Sequence, residues 1–145
     1  MASVDDYLTE FYIDGVNQVP VGGWPALAVT GQIIVPARTR VIAVKVTNTE
    51  GSGGFLASST DGSILSTGWV WKARAGVTDK TWMLPSYNDS SWRTGYDWLK
   101  NDGSATNYEP QIPRINRNAY WVWTSGMPPA DYVVFFRMTL YKKCK

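Results

Sequence analysis

The stretch DYVVFFRMTLY, residues 131–141, decides the fold class of this chain. Its side chains alternate in steps of two, with Tyr132, Val134, Phe136, Met138 and Leu140 on one face and Val133, Phe135, Arg137, Thr139 and Tyr141 on the other. A β-strand points successive side chains to opposite faces of a sheet, whereas an α-helix repeats about every 3.6 residues. The alternation therefore predicts a strand.

Other short apolar segments follow the same pattern, and none of them keeps a helical period. They are YLTEFYID from residue 7, TGQIIVPA from 30, RVIAVKVTN from 40, GFLASS from 54, GWVWKA from 68, KTWML from 80 and AYWVWT from 119. Asp14-Gly15 supplies a positive-φ turn that closes the first segment into a hairpin with VNQV. Roughly seven to nine such strands predict an all-β chain, a single domain over residues 1–145 folded as an antiparallel β-sandwich.

The composition narrows the classes of function. Hydrophobic residues make up 44% of the 145 residues, as in soluble globular proteins, and 14% are aromatic, including eight Trp and eight Tyr. Such rings fill sandwich cores and also form platforms for sugar rings and interfaces. The net charge is only +2 and the basic residues are scattered. Nucleic-acid binding is not expected, because it needs a basic stripe or patch.

The chain contains no histidine and one cysteine, Cys144. A Ser-His or Cys-His nucleophile pair is therefore excluded, as are zinc sites built from imidazoles and thiolates. Carboxylates such as Glu10 and Glu50 do not stand in a recognisable catalytic setting, and we do not expect an enzyme. Two interpretations of Cys144 stay open: a free thiol near the chain end, or an interchain disulfide between two subunits.

The first residues, MASVDDYLTE, lack the basic and apolar regions of a signal peptide. No run of residues approaches the roughly 18 apolar positions of a membrane span, so membrane insertion is not expected. The sequence is compatible with a cytoplasmic protein or with a mature form whose leader has been removed.

The segment YNDSSW, residues 87–92, suggests a local capping turn. Asp89 can accept hydrogen bonds from the backbone N–H groups of Ser91 or Trp92, and this would direct the indole of Trp92 inward. Asn88 opens an N-x-S glycosylation pattern, which matters only if the chain enters the secretory route. The segment is thus predicted to support the scaffold.

YNDSSW resembles a signature of galactose-binding-domain-like β-sandwich modules, a jelly-roll family. Members include the non-catalytic sugar-binding domains of glycoside hydrolases and lectins of marine invertebrates. DDYLTEFYIDGVNQV, RVIAVKVTNTEGSGGFLAS, AYWVWT and YVVFFRMTL resemble further segments of the family in the same order along the chain. Two features depart from the family pattern: secreted relatives usually carry more cysteines, and GYDWLKNDGSATNYEP is longer and more aromatic than the pattern requires.

This resemblance implies a non-catalytic lectin that recognises galactose-type or related monosaccharides on glycans. It also implies secretion, and a homo-oligomer is expected because agglutination needs two or more sites. Two alternatives stay open: a structural or adhesion module that binds protein partners, and an accessory domain of a larger glycoside hydrolase.

A lectin stacks the C–H face of a sugar on an aromatic ring and bonds its hydroxyls with charged or amide side chains. Binding residues favour loops carried by a rigid scaffold, and the segment after Gly95 is rich in both residue types. The candidate ligand-binding residues are Tyr96, Asp97, Trp98, Lys100, Asn101, Asp102, Tyr108 and, in a separate Gly-Gly-Trp-Pro turn, Trp24. The competing interpretation is that some of these rings pack inward.

Calcium is a weak candidate cofactor. Asp5 and Asp6 precede the first predicted strand, and Asp97, Asn101 and Asp102 cluster before a glycine. Hard oxygen ligands of this kind suit Ca²⁺, but the spacing is not that of an EF-hand, and Asx residues beside glycine commonly form turns. The DDY…YIDG start also resembles the anthrax-protective-antigen-type sugar-binding domain, whose paired aspartates bind calcium.

Four tryptophans alternate within two predicted strands. Trp69 and Trp71 are expected to face one side of their sheet, and Trp121 and Trp123 one side of theirs. Core packing is the expectation for both pairs. If a pair faced outward, it would form an aromatic stripe suited to polymeric glycans or to a partner subunit.

Overall fold

The structure, a computed structural model, describes residues 1–18, 33–49, 51, 53–104, 111–124 and 132–140. These residues form ten β-strands and no α-helix. The strands are β1 (Ala2–Asp5), β2 (Tyr7–Ile13), β3 (Val16–Asn17), β4 (Val41–Thr47), β5 (Gly54–Ala57), β6 (Trp71–Ala75), β7 (Arg93–Thr94), β8 (Tyr96–Lys100), β9 (Tyr120–Trp123) and β10 (Val133–Thr139). No helix within these ranges is long and apolar enough to cross a membrane.

The strands form two antiparallel sheets. One has six strands in the order β3-β2-β4-β10-β6-β7, and the other has four in the order β1-β5-β9-β8. In the six-stranded sheet, Phe136 of β10 lies opposite Val44 on one side and Ala73 on the other. β4 and β10 lie at the centre of this sheet because their β-branched and aromatic side chains suit strands covered on both faces.

The main core lies between the sheets. Val134, Phe136 and Met138 of β10 belong to it, as the alternation in the sequence predicts. Val4, Phe55 and Val122 reach it from the four-stranded sheet and are fully buried. The prediction of an all-β antiparallel sandwich is confirmed.

The first hairpin forms at the predicted turn, with one correction to its strand. Asp14 and Gly15 have φ angles of 49° and 83° and link β2 to β3. A register shift between Leu8 and Glu10 interrupts the simple alternation of β2. Because of this bulge, Leu8 faces the core together with Phe11, although the two residues are an odd number of positions apart.

Residues 77–92 cover the outer face of the six-stranded sheet. Trp82 and Trp92 are 4% and 5% exposed and pack there with Phe135, which points away from the main core. Trp82 meets Phe135 edge to face, with 4.9 Å between the ring centroids. Trp92 is therefore buried, as predicted, but in a second core outside the sandwich interior.

The predicted role of Asp89 in this segment is wrong. The backbone oxygen of Asp89, not its carboxylate, accepts the N–H of Trp92, at 3.0 Å. The carboxylate instead contacts Lys72 Nζ at 2.7 Å and Arg137 Nε at 2.9 Å. Asn88 makes the local turn by accepting the N–H of Ser90. Two cations carried by β6 and β10 outcompete the backbone for the carboxylate because charge-assisted hydrogen bonds are stronger.

Residues 111–119 cover the outer face of the four-stranded sheet. Ile112, Ile115 and Ala119 pack against Leu56 and Trp121 in a third core. Trp123 belongs to the main core, where its ring centroid lies 5.9 Å from that of Phe136. Trp121 and Trp123 are both buried, as expected, but they serve different cores.

Some predicted strand boundaries are wrong. KTWML forms turns, because Trp82 packs down from a covering segment and does not belong to a sheet. Residues 33–37 of TGQIIVPA are not in a strand, and residues 30–32 lie outside the described residues. The strands β1, β7 and β8 were not predicted. β7 has only two residues, which is too short for periodicity to reveal.

Candidate functional site

A turn at residues 67–70 places one indole in solvent and the next in the core. Thr67 O accepts the N–H groups of Val70 at 3.2 Å and Trp71 at 3.1 Å. Trp69 is 88% exposed and Val70 is 45% exposed, whereas Trp71 is 1% exposed. The prediction that Trp69 and Trp71 share one side of a strand is wrong, because β6 begins only at Trp71.

Two glycines allow this turn to approach the start of β8. A Cβ on Gly68 would lie 1.9 Å from the carbonyl oxygen of Gly95, so only glycine fits at position 68 without movement of the backbone. Gly95 donates its N–H to Trp71 O at 2.8 Å. Gly95 also links β7 of the six-stranded sheet to β8 of the four-stranded sheet. The turn therefore sits where the chain passes from one sheet to the other.

Asp97 fixes the turn to β8. Its Oδ1 accepts the N–H of Gly68 at 2.6 Å, and none of the described residues donates a hydrogen bond to its Oδ2. Tyr96, which follows Gly95, is 47% exposed. Trp69 follows Gly68 and Tyr96 follows Gly95. Because the two glycines are in contact, these two aromatic residues occupy neighbouring positions along the two backbone segments. We call Trp69, Val70 and Tyr96 the aromatic surface.

The other candidates on β8 have mixed positions. Trp98 is partly buried and packs against the third core. Lys100 Nζ lies 3.6 Å from Asp102 Oδ2, and both side chains reach solvent. Asp102 Oδ1 also accepts the N–H of Ser104 at 3.0 Å. Hydrogen bonds from Ser104 hold the pKa of Asp102 below its ordinary value of 3.8. Tyr108 and Trp24 lie outside the described residues.

Asn101 is buried and its amide is occupied by the backbone. Its Oδ1 accepts the N–H of Ile112 at 2.7 Å, and its Nδ2 donates to the carbonyl oxygens of Ile112 and Ile115 at 3.1 and 3.0 Å. The residue is 1% exposed. It thus connects the end of β8 to the segment that covers the four-stranded sheet, and its polar atoms face that segment.

The acidic residues considered for calcium have separate surroundings. Asp5 ends β1 opposite Gly54, while Asp6 is 6% exposed. Asp6 Oδ2 accepts hydrogen bonds from the backbone N–H and the hydroxyl of Thr49, at 2.7 and 2.5 Å. Across the part of the chain that the structure describes, no group of three or more His, Cys, Asp or Glu residues could hold a metal ion.

The structure therefore brings Tyr96 and Asp97 together with a residue that sequence reasoning assigned to the core. The strand pattern places Trp69 in β6 because it extends three residues too far toward the N-terminus, from Trp71 back to Gly68. The signal available was Thr67-Gly68, a turn-forming pair directly before the indole.

Comparisons of the chain with protein-family models, with curated proteins and with solved structures found no match.

Proposed function

We propose that this protein is a non-catalytic carbohydrate-binding protein that holds a sugar on the aromatic surface. The observation that carries the proposal is the 88% exposure of Trp69 on a turn anchored by Asp97. A large apolar ring is usually buried, and an exposed ring held by a rigid turn is available to a ligand at little cost in conformational entropy. The motif resemblance to galactose-binding-domain-like modules supports the same function.

The chemistry of the surface suits a pyranose ring. The C–H face of the sugar stacks on the Trp69 indole and excludes water from both. Asp97 Oδ2 then accepts a hydrogen bond from a sugar hydroxyl, which is a charge-assisted contact. Galactose-type sugars are the class that the resemblance favours. Tyr96 supplies a second ring and a phenolic hydroxyl beside the same backbone junction.

A site built from one turn and one strand contacts few sugar atoms, so each site alone should bind weakly. Linking several sites raises avidity by roughly two to four orders of magnitude without new contacts. We therefore propose a secreted homo-oligomer that binds multivalent glycans.

Titration with galactose and rhamnose, with and without calcium, followed by a glycan array, tests the proposal. Trp69→Ala and Tyr96→Ala should each weaken binding about tenfold or more. The matched control is Tyr132→Ala. Tyr132 is also exposed, at 60%, but it precedes the first residue of β10, whereas Trp71 pairs with Met138 near the end of that strand. No binding of any glycan by the wild-type protein would refute the proposal.

A second candidate function is adhesion to a protein partner. It is favoured by Val70, an exposed aliphatic side chain beside Trp69 that has no evident use in sugar stacking. Exposed apolar groups that lie together often mark protein interfaces. Sedimentation of the wild type and of Trp69→Ala separates the two functions: an oligomer that dissociates in the variant indicates that the aromatic surface binds protein.

A further inference from the structure

A cavity of about 670 Å³ lies between the two sheets at one end of the sandwich. It is found where β5 and β10 end and where β4 and β6 begin. Its apolar lining includes Phe11, Ile33, Ile42, Phe55, Trp71 and Leu140. Pockets of about 300 to 1,000 Å³ are typical of small-molecule sites, so the space is large enough for a ligand.

The inner wall of this cavity offers no unpaired indole N–H. Trp71 Nε1 donates to Leu65 O at 3.1 Å, so the one polar atom of this indole already has a hydrogen-bond partner. Phe55 meets Trp71 edge to face, with 4.8 Å between the ring centroids. Phe55 and Trp71 are fully buried in the main core, so the accessible apolar surface of the cavity comes from partly buried lining residues packed on that core, such as Ile33, Ile64 and Leu140. Such a wall binds apolar groups by removing them from water.

The rim of the cavity is a hydroxyl-rich loop whose polar groups bond one another. Asp61 Oδ1 accepts hydrogen bonds from Ser59 Oγ at 2.5 Å and from Ser63 Oγ at 2.8 Å. Ser59 Oγ in turn accepts the N–H of Ile64 at 2.9 Å. These hydrogen bonds lower the pKa of Asp61 to about 2, so its exposed carboxylate is negative at neutral pH.

We propose that this cavity binds a small amphiphile, with an apolar chain or ring inside and an uncharged head group, such as an alcohol, at the serine-rich rim. The apolar wall selects the tail. Among the described residues, the cavity lining carries one carboxylate, Asp61, and the N-terminal ammonium of Met1, so it has no excess charge that would favour a charged head over an uncharged one. This site is separate from the aromatic surface, so Trp69→Ala should leave it intact.

A series of straight-chain alcohols tests the proposal by calorimetry on the wild-type protein. From 1-hexanol to 1-decanol, each added methylene should tighten binding about fourfold, because each buries further apolar area. Decanoate should bind more weakly than 1-decanol at pH 7, because its carboxylate loses hydration on binding and the described lining offers no excess positive charge to pair with it. Equal affinity for all chain lengths, or no saturable binding, would overturn the proposal.

Variants that fill the cavity locate the site. Ala57→Phe and Ile64→Trp place larger side chains at lining positions and should each weaken 1-decanol binding at least tenfold. The control is Thr139→Phe, which adds a ring at an exposed position that is not among the lining residues. If Ala57→Phe or Ile64→Trp does not fold, intermolecular nuclear Overhauser effects on the wild type decide. Contacts between the alcohol chain and the side chains of Ile33, Ile64 and Leu140 are expected, and contacts only elsewhere would contradict the proposal.

Discussion

Asp89 Oδ2 lies 2.9 Å from Arg137 Nε, and this pair joins the segment that covers the six-stranded sheet to the central strand β10. The Arg137 side chain is 1% exposed and also donates to the carbonyl oxygens of Trp82 and Leu84. Its guanidinium lies 5.2 Å from the centre of the Tyr87 ring. The buried guanidinium thus has four partners within residues 82–89: the carboxylate of Asp89, the carbonyls of Trp82 and Leu84, and the Tyr87 ring.

Replacing Asp89 with asparagine should destabilise the protein by about 3 kcal/mol, because a buried arginine would lose its counter-charge. Unfolding in urea, followed by tryptophan fluorescence, measures the change. Asp79→Asn is the control, since Asp79 lies in the same covering segment but is exposed, and its carboxylate accepts hydrogen bonds from Thr81. A loss below 1 kcal/mol for Asp89→Asn would show that the pair does not hold the segment.

Stability should fall in acid through the same carboxylate. Burial alone would raise the pKa of Asp89, but hydrogen bonds from Lys72 and Arg137 outweigh it and hold the pKa below the ordinary value of 3.8. A carboxyl with a lowered folded pKa contributes stability above its unfolded pKa and loses it as the pH falls through the folded value. The free energy of unfolding should therefore drop below about pH 4, and Asp89→Asn should show a shallower drop. An identical acid profile for both proteins would contradict this assignment.

Trp92 and Trp69 should differ widely in how much stability is lost when the indole is removed. Trp92→Ala should cost about 4 kcal/mol, because it leaves a void beside Trp82 and Phe135. Trp69→Ala should change stability by less than about 0.5 kcal/mol, because the ring is in solvent. Thermal unfolding of both variants checks the contrast. A large loss for Trp69→Ala would mean that the aromatic surface is part of the scaffold.

Asn101→Ala should destabilise the covering segment at residues 111–119. It would leave the N–H of Ile112 and the carbonyl of Ile115 without their hydrogen-bond partners, at a cost of about 3 kcal/mol, while Ile112 O keeps the N–H of Ile115. Hydrogen exchange at Ile112 should accelerate more than exchange within β10. Asn118→Ala is the matched control, since its side chain is exposed on the same segment.

Gly68→Ala should disturb the aromatic surface while leaving both sheets formed. The added methyl group would collide with the carbonyl of Gly95 and displace the turn, at a cost of about 2 kcal/mol. Binding of a sugar should weaken as it does in Trp69→Ala. Val70→Ala, in the same turn, should lose little stability, because Val70 is 45% exposed and the substitution adds no clash. Unchanged sugar binding in Gly68→Ala would show that the turn is not part of the sugar-binding site.

The sequence predicted those features that depend on local periodicity. The alternation of β10 identified a strand and its inward face, and the burial of Trp92 followed from the short turn before it. The partner of Asp89 was beyond such reasoning, since Arg137 lies 48 residues away and is brought near only by the sheet. KTWML was misassigned because a segment that packs onto a sheet carries the same apolar residues as a strand within one.

The candidate site depends on a long-range contact of the same kind. Tyr96 and Asp97 could be proposed because polar and aromatic residues concentrate after Gly95. Trp69 is separated from them by 27 residues of sequence or more, and the contacts of Gly68 with Gly95 and Asp97 bring it beside them. Fixing these positions requires the pairing of β6 with β7 and of β8 with β9, and periodicity does not specify which strands pair.

The passage of the chain through Gly95 also affects how molecules behave at high concentration. β7, the outermost strand of the six-stranded sheet on that side, ends after Arg93 and Thr94, and the chain then leaves for the other sheet. An open sheet edge is a template on which a second molecule can add a strand and begin a fibril. This edge offers two residues, one of them a charged arginine, and so resists edge-to-edge polymerisation.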